Sequence, residues 1–492
     1  MRAVHIFDLA AHGAVAVLLV VVARTTLGMD THVAGGLGLL FATHPVHVEA
    51  VCNCTSRAEM LYSVMVLGAW LAFFEADKLL PGAPLHRLAG VPAGGGSSRN
   101  GSTSATWTTW LSVPALCIFQ GIACASKEQG IFFVCMTTAF LAVQLLVLAR
   151  SSKAAASEIE FRRRGASDGD DDDDDGDDGT TPMSNSCSCC SVLRTVTVVH
   201  FALWACTFAN ILWRGHVSKS RLLPAYSYTM NPIPYMNSTK SKLLTAFSYH
   251  AEAFRLMLLP TWQPMKCDYK DLVPVVDVDD PRNFRVVLLY LGLVGLGLTL
   301  ARRLWVHSAL EQASPTPPKS DQASMHDIDR HQVTHQHQQH QHQQSRSLTL
   351  AAVFFFGVLV TFYLPSSNAI GYVGFYVAER VLYLPSAGVI GLACLALHGG
   401  IRILLGVSSS SSSSSKVFVS NAIFWAVVLI ITAAFALATM ERVPAWTSTC
   451  VSCLLSLSLN VCVPTDSSNA LSHCLSRCHV RVTANVRARG LK

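Results

Sequence analysis

The chain has 492 residues, 51% of them hydrophobic and only 14% charged, with a formal net charge of +6 at pH 7. A water-soluble domain does not carry so much apolar surface, so the composition selects a polytopic membrane protein and gives no expectation of a nucleic-acid partner. The net charge is uninformative as a sum, because an acidic run and several basic clusters lie in different connections.

In chain order, apolar runs of membrane-crossing length fall at 3–23, 29–43, 60–75, 108–125, 131–149, 194–213, 286–304, 348–364, 384–404 and 417–438, which makes ten expected spans and an all-α fold. The first carries Asp8 and lacks the basic start and small-residue cleavage site of a signal peptide, so it reads as a span. The organisation expected is a transmembrane bundle over 1–150, an acidic linker over 151–193, spans with a long loop (214–285) over 194–304, a His/Gln-rich linker over 305–347, a second bundle over 348–440 and a tail over 441–492. Of the sixteen cysteines, Cys117, Cys124, Cys135, Cys206 and Cys394 lie inside apolar runs and read as small hydrophobes, whereas Cys450, Cys453, Cys462, Cys474 and Cys478 are dense enough for disulfides. No cysteine spacing suggests a zinc site, and no metal is expected.

Two kinds of connection join the spans. One is low-complexity: 81–100, 151–190 with its acidic run 170–175, 312–347 with its His/Gln repeat, and the serine run 408–415. Such segments lack the apolar surface that offsets the entropy of folding, so they read as spacers. The other kind is compact and chemically specific: HPVHVEAVCNCTSRAE (44–59), SKEQG (126–130), the loop 214–285, and YVGFYVAERVLYLPSAG (372–388), which sets Glu379 and Arg380 between apolar runs. Alternation through ten spans puts every compact connection on one side and every low-complexity one on the other. Arg150, Lys153, Arg162, Arg163 and Arg164, with Arg302 and Arg303, mark the low-complexity side as cytosolic. Glycosylation acceptors at Asn53 and Asn237 fall on the opposite, lumenal side, while a third match at Asn100 falls on the cytosolic side and reads as chance.

HPVHVEA followed by RAE, then SKEQG, then Asn231-Pro232 with the loop running to Cys267-Asp268, then LPSSN (364–368) and VAERVLYLPS (377–386) occur in the order seen in the transmembrane and tetratricopeptide-repeat family, which the chain resembles from about His5 to Trp446. The resemblance implies a multi-pass membrane protein of the endoplasmic reticulum with a GT-C type glycosyltransferase architecture. It further implies protein O-mannosyltransferase activity, with dolichyl-phosphate mannose as a lipid donor, acceptor proteins in the lumen, cadherin-type domains among them, and no separate cofactor. Two departures are expected. The chain enters after the family's first span and its acidic lumenal loop, and only the entry to the helical repeats of about 34 residues is kept.

Mannosyl transfer to a Ser or Thr hydroxyl needs a base for the hydroxyl and a cation for the departing phosphate. Arg380 is the candidate for the donor phosphate, because a guanidinium contacts phosphate oxygens in pairs; Lys127 is the second candidate. Glu379, Glu128 and Asp268 are supporting candidates, with Glu128 expected to orient Lys127. The catalytic base is unassigned, and Glu49 and Glu59, near His44 and His47, are the remaining supporting residues; the alternative for these four is a polar cluster capping helix ends. For Lys127 and Glu128 the alternative is a structural ion pair, and for Asp268 a turn-former. The run 253–260, with Trp262 and Tyr269, reads as an amphipathic stretch along the lumenal interface. A transporter would place ionisable residues mid-span, whereas here they sit at span ends; a non-catalytic membrane scaffold is the alternative function.

Overall fold

A computed structural model of the chain describes residues 2–53, 56–79, 84–89, 107–143, 145, 188–218, 231–260, 274–275, 277–310, 325–407 and 414–460. These residues form α1 (Arg2–Thr25), α2 (Thr31–Thr43), α3 (Val48–Cys52), α4 (Arg57–Ala76), α5 (Pro84–Ala89), α6 (Trp107–Ser126), α7 (Glu128–Val143), α8 (Ser188–Ser218), α9 (Thr239–Leu258), α10 (Arg282–Leu310), α11 (Met325–Tyr363), α12 (Tyr383–Leu404) and α13 (Ser414–Asn460), with no strand among the described residues. The protein is an all-α polytopic membrane protein. Among the described residues, six helical stretches are long and apolar enough to cross a bilayer: Val4–Thr25, Arg57–Leu79, Arg282–Val306, Gln343–Ser366, Glu379–Leu404 and Ser414–Val443. The expected spans 29–43, 108–125 and 131–149 meet shorter apolar helices, Thr31–Thr43, Leu111–Ser126 and Glu128–Val143, and 194–213 lies within α8.

The core sits where α1, α2, α4, α6, α11 and α12 meet, around Trp70, Phe41, Phe354, Phe355, Phe362 and Tyr383, all fully buried. Glycines allow the closest approaches. A Cβ at Gly388 of α12 would lie 2.5 Å from the Phe355 carbonyl oxygen and 2.7 Å from the Leu359 nitrogen of α11, so only hydrogen fits between the two backbones. The exposed face is equally apolar: Phe284, Leu288, Leu291, Val294 and Leu298 of α10 point outward, as a lipid-facing helix requires.

Local chemistry sets the turns at one end of the bundle. Asp30 caps α2, its side chain accepting from the His32 N–H. The helix stops at Thr43 because Pro45 pushes His44 into the extended region and then opens a single 3₁₀ turn, Pro45–His47, before α3. Similar single turns, Leu364–Ser366 and Glu379–Leu382, bracket the stretch between α11 and α12. Asn368 there takes a left-handed φ of 61°, which Asn tolerates better than most residues. Asn231 holds it, donating to Asn368 Oδ1 at 2.8 Å and to the Val373 carbonyl at 2.7 Å.

Three connections differ from the sequence expectation. The segment 81–100 includes α5, whose Leu85 and His86 N–H groups donate to the buried Asp77 carboxylate at 2.8 and 3.1 Å while His86 stacks on Phe74. Its few apolar residues suffice because α11 supplies the surface they pack on. The linker expected over 305–347 is helical up to Leu310 and again from Met325, since glutamine favours helix and α11 provides a nucleus to extend. The tail expected from 441 begins as a continuation of α13 to Asn460. In the loop 214–285, the run 253–260 begins as the last turns of α9, which ends at Leu258, and Ala253, Phe254, Leu256 and Met257 are buried against Val46, Ala378, Val381 and Leu382. Trp262, Tyr269 and Asp268 lie outside the described residues.

Candidate functional site

Four of the compact motifs converge on the end of the bundle where α2, α4, α6 and α11 finish or begin. Here the buried charges arrange themselves in pairs, and the pairs cross between motifs. Glu49 of α3, 1% exposed, accepts from Arg380 twice: from its main-chain N–H through Oε2 at 2.9 Å and from guanidinium Nη1 through Oε1 at 2.7 Å. Arg380 keeps 28% of its side chain exposed and lies 5.8 Å from the centre of the Phe375 ring. Glu379 turns the other way, into the protein, where both its oxygens accept from Arg442 Nη1 of α13 at 3.0 Å. The same nitrogen donates to the Pro45 carbonyl at 3.2 Å. Glu379 and Arg380, adjacent in sequence, therefore serve different partners.

Lys127, at the junction of α6 and α7, is in contact with the buried Glu59 carboxylate of α4 and lies 6.0 Å from the Tyr62 ring centre. Burial pulls its ammonium down to about 7, while the carboxylates of Glu128 and Glu49 pull the other way. The junction itself is held by Gln120, whose amide donates to the Gly130 carbonyl and to Thr207 Oγ1, both at 3.2 Å. Gly130 is required there: a Cβ would lie 2.5 Å from the Ala123 carbonyl. Glu128, expected to orient Lys127, is 66% exposed and accepts from Arg214 at 3.1 Å. The helical turn after Lys127 carries Glu128 outward while Glu59 approaches from the neighbouring helix.

The histidines belong to the interior. His44 Nε2 lies 3.1 Å from the Met257 carbonyl and His44 Nδ1 accepts from the Val46 N–H at 3.2 Å, so Nε2 carries the hydrogen. Burial lowers its pKa to about 3, against the help of the Met257 carbonyl, and Arg442 lowers it further. His47 Nε2 is 2.8 Å from Ser386 Oγ, and burial holds this ring well below its ordinary pKa as well, with His12 and His44 adding to the effect. Both rings are neutral at physiological pH, and neither contacts Glu49 or Glu59 through a hydrogen bond among those described. Of the glycosylation acceptors, Asn237 is exposed just before the Ser238 cap of α9, and Asn53 is half-buried at the end of α3.

Sequence reasoning missed Arg442, Ser386 and the pair Arg57–Asp8, in which Arg57 Nε donates to the buried Asp8 carboxylate at 2.7 Å. A signal existed for two of these: Asp8 is an acid within an apolar run and Arg442 a base at the end of one, and lipid tolerates neither without a partner. The arrangement offers a half-exposed guanidinium and a nearby ammonium, both fixed by buried carboxylates, at one face of a membrane bundle. That geometry suits an oxyanion such as a phosphate arriving from the membrane plane.

The chain is 23% identical over 450 residues to the Protein O-mannosyl-transferase TMTC2 of Homo sapiens, covering 87% of this chain and 45% of the relative. It is 25% identical over 397 residues to TMTC4 of Mus musculus, covering 78% and 42%, and 25% identical over 405 residues to TMTC3 of Mus musculus, covering 81% and 33%. It thus spans less than half the length of these relatives. No protein-family profile matches the chain. No solved structure matches it.

Proposed function

We propose that the chain, 23–25% identical to relatives named Protein O-mannosyl-transferase, is a member of the transmembrane and tetratricopeptide-repeat family and acts as a protein O-mannosyltransferase of the endoplasmic reticulum membrane. The donor is dolichyl-phosphate mannose and the acceptors are Ser or Thr hydroxyls of lumenal proteins, cadherin-type domains among them. In the reaction the hydroxyl oxygen bonds to the anomeric carbon of mannose, the bond from that carbon to the phosphate oxygen breaks, and the hydroxyl proton passes to a base. Dolichyl phosphate leaves with the bonding electrons, so a cation at the phosphate lowers the barrier. Arg380 takes that role and Lys127 assists it. Glu49 fixes Arg380 by main chain and side chain together.

The observation that carries this reading is the pairing of the half-exposed Arg380 with the buried Glu49, in a chain whose relatives are named O-mannosyl-transferases. Mannose transfer from dolichyl-phosphate mannose to a purified cadherin domain tests it. The purified protein should transfer mannose and Arg380→Ala should lose the activity by at least about 100-fold; wild-type inactivity overturns the enzyme reading, and an active Arg380→Ala overturns the role of Arg380.

A second reading, a non-catalytic membrane scaffold, draws on a different observation. Glu49, Glu59, Glu379 and Asp8 each have a cationic partner at this end, which suits a structural lattice. A wild-type protein that binds acceptor without transferring mannose would select it.

A further inference from the structure

Arg380 and Glu49 sit on separate segments, the Glu379–Leu382 turn and α3, and the turn before α3 shares an apolar cluster with the first through Val46, Val381 and Leu382. One guanidinium nitrogen touches both. Arg442 Nη1 donates to the Pro45 carbonyl, in the turn that leads directly into α3, and to both oxygens of Glu379, the residue before Arg380. Arg442 is 2% exposed and Glu379 fully buried, so water does not compete for these bonds. Withdrawing Arg442 would take a buried counter-charge away from Glu379, the residue before the phosphate candidate Arg380. The turn would then relax toward solvent or another cation, and the register of Arg380 against Glu49 would go with it.

From this bridging geometry we infer that Arg442 is a positioning residue for the donor end: it does not touch the phosphate but sets the placement of Arg380 through Glu379 and Pro45. The inference rests on the proposal that Arg380 meets the donor phosphate. A purely structural ion pair would lower thermal stability and leave donor affinity unchanged well below the unfolding temperature. A positioning residue changes affinity at that same temperature.

The test compares wild type with Arg442→Lys, Arg442→Ala, Arg380→Ala and the double variant Glu379→Gln/Arg442→Met, which removes both charges while keeping volume. Two quantities are read well below each protein's unfolding temperature: the apparent KM for dolichyl-phosphate mannose and the inhibition constant of dolichyl phosphate. Arg442→Ala and the double variant should each weaken both by about tenfold, with kcat changed less than about threefold, and Arg442→Lys should recover part of the loss. If Arg442→Ala does not fold, the double variant carries the test. Wild-type donor constants in folded double variant, with Arg380→Ala inactive, overturn the positioning role alone; an Arg380→Ala protein with wild-type donor constants overturns the phosphate reading beneath it.

Discussion

Glu49 accepts from Arg380 with both its oxygens, and removing that charge without removing the shape isolates what it contributes. Glu49→Gln keeps a hydrogen-bond acceptor but removes the carboxylate charge from beside the guanidinium, so donor use should fall about 10- to 100-fold in a mannose-transfer assay while the protein remains folded. The neighbouring histidines report on pH. An exposed histidine titrates near 6.5, whereas buried His44 titrates near 3, so between those values the unfolded chain binds a proton that the folded chain refuses. Stability therefore falls as pH drops below about 6.5. At pH 5 the loss from His44 amounts to about 2 kcal/mol, and His47 adds to it in the same direction. Unfolding followed in detergent from pH 7.5 to 5 should show this decline, and His44→Gln, which keeps an amide donor for the Met257 carbonyl, should flatten it.

Among the elements, α11 and α12 approach backbone to backbone at Gly388, close to the end turns. Gly388→Ala puts a methyl group against the backbone of α11, where no side chain can move aside, and should cost about 1–3 kcal/mol, read as a lower unfolding temperature in detergent. Gly399, on the same helix with nothing within 4 Å of its Cβ position, supplies the control: Gly399→Ala should be neutral or stabilising, because alanine favours helix. At this scale hydropathy located the apolar helices, and among the described residues six of them are long and apolar enough to cross where ten spans were expected. The short helix α5 was not legible. Its composition is that of a spacer, and it folds because Asp77 caps it and α11 covers it.

At the scale of the whole molecule, the compact loops are expected on the lumenal side, and glycan acceptors test that placement. Asn237 lies exposed ahead of α9, so Asn237→Gln should remove one glycosidase-sensitive mobility shift when the protein is made in microsomes. Asn53, half-buried at the end of α3, should be modified less completely. A shift unaffected by either substitution would contradict the lumenal assignment. The meeting of loops from distant parts of the chain also explains why buried carboxylates survive in so apolar a protein: each finds its cation on a different segment, so the charges are satisfied only when the bundle is complete.

Hydropathy and loop composition by themselves determined the class of this protein, the order of its apolar segments, and the set of motifs that gather at one end. These follow from local properties, the length of an apolar run and the capacity of a loop to bury surface. Which charge meets which was decided only by the tertiary structure. Glu379 and Arg380 are neighbours in sequence, yet a single 3₁₀ turn sends one inward to Arg442 and the other outward to Glu49, and Lys127 takes Glu59 from another helix in place of the adjacent Glu128. In a low-dielectric interior a charge is committed to the partner that packing brings within a few ångströms, and sequence distance carries no weight in that choice.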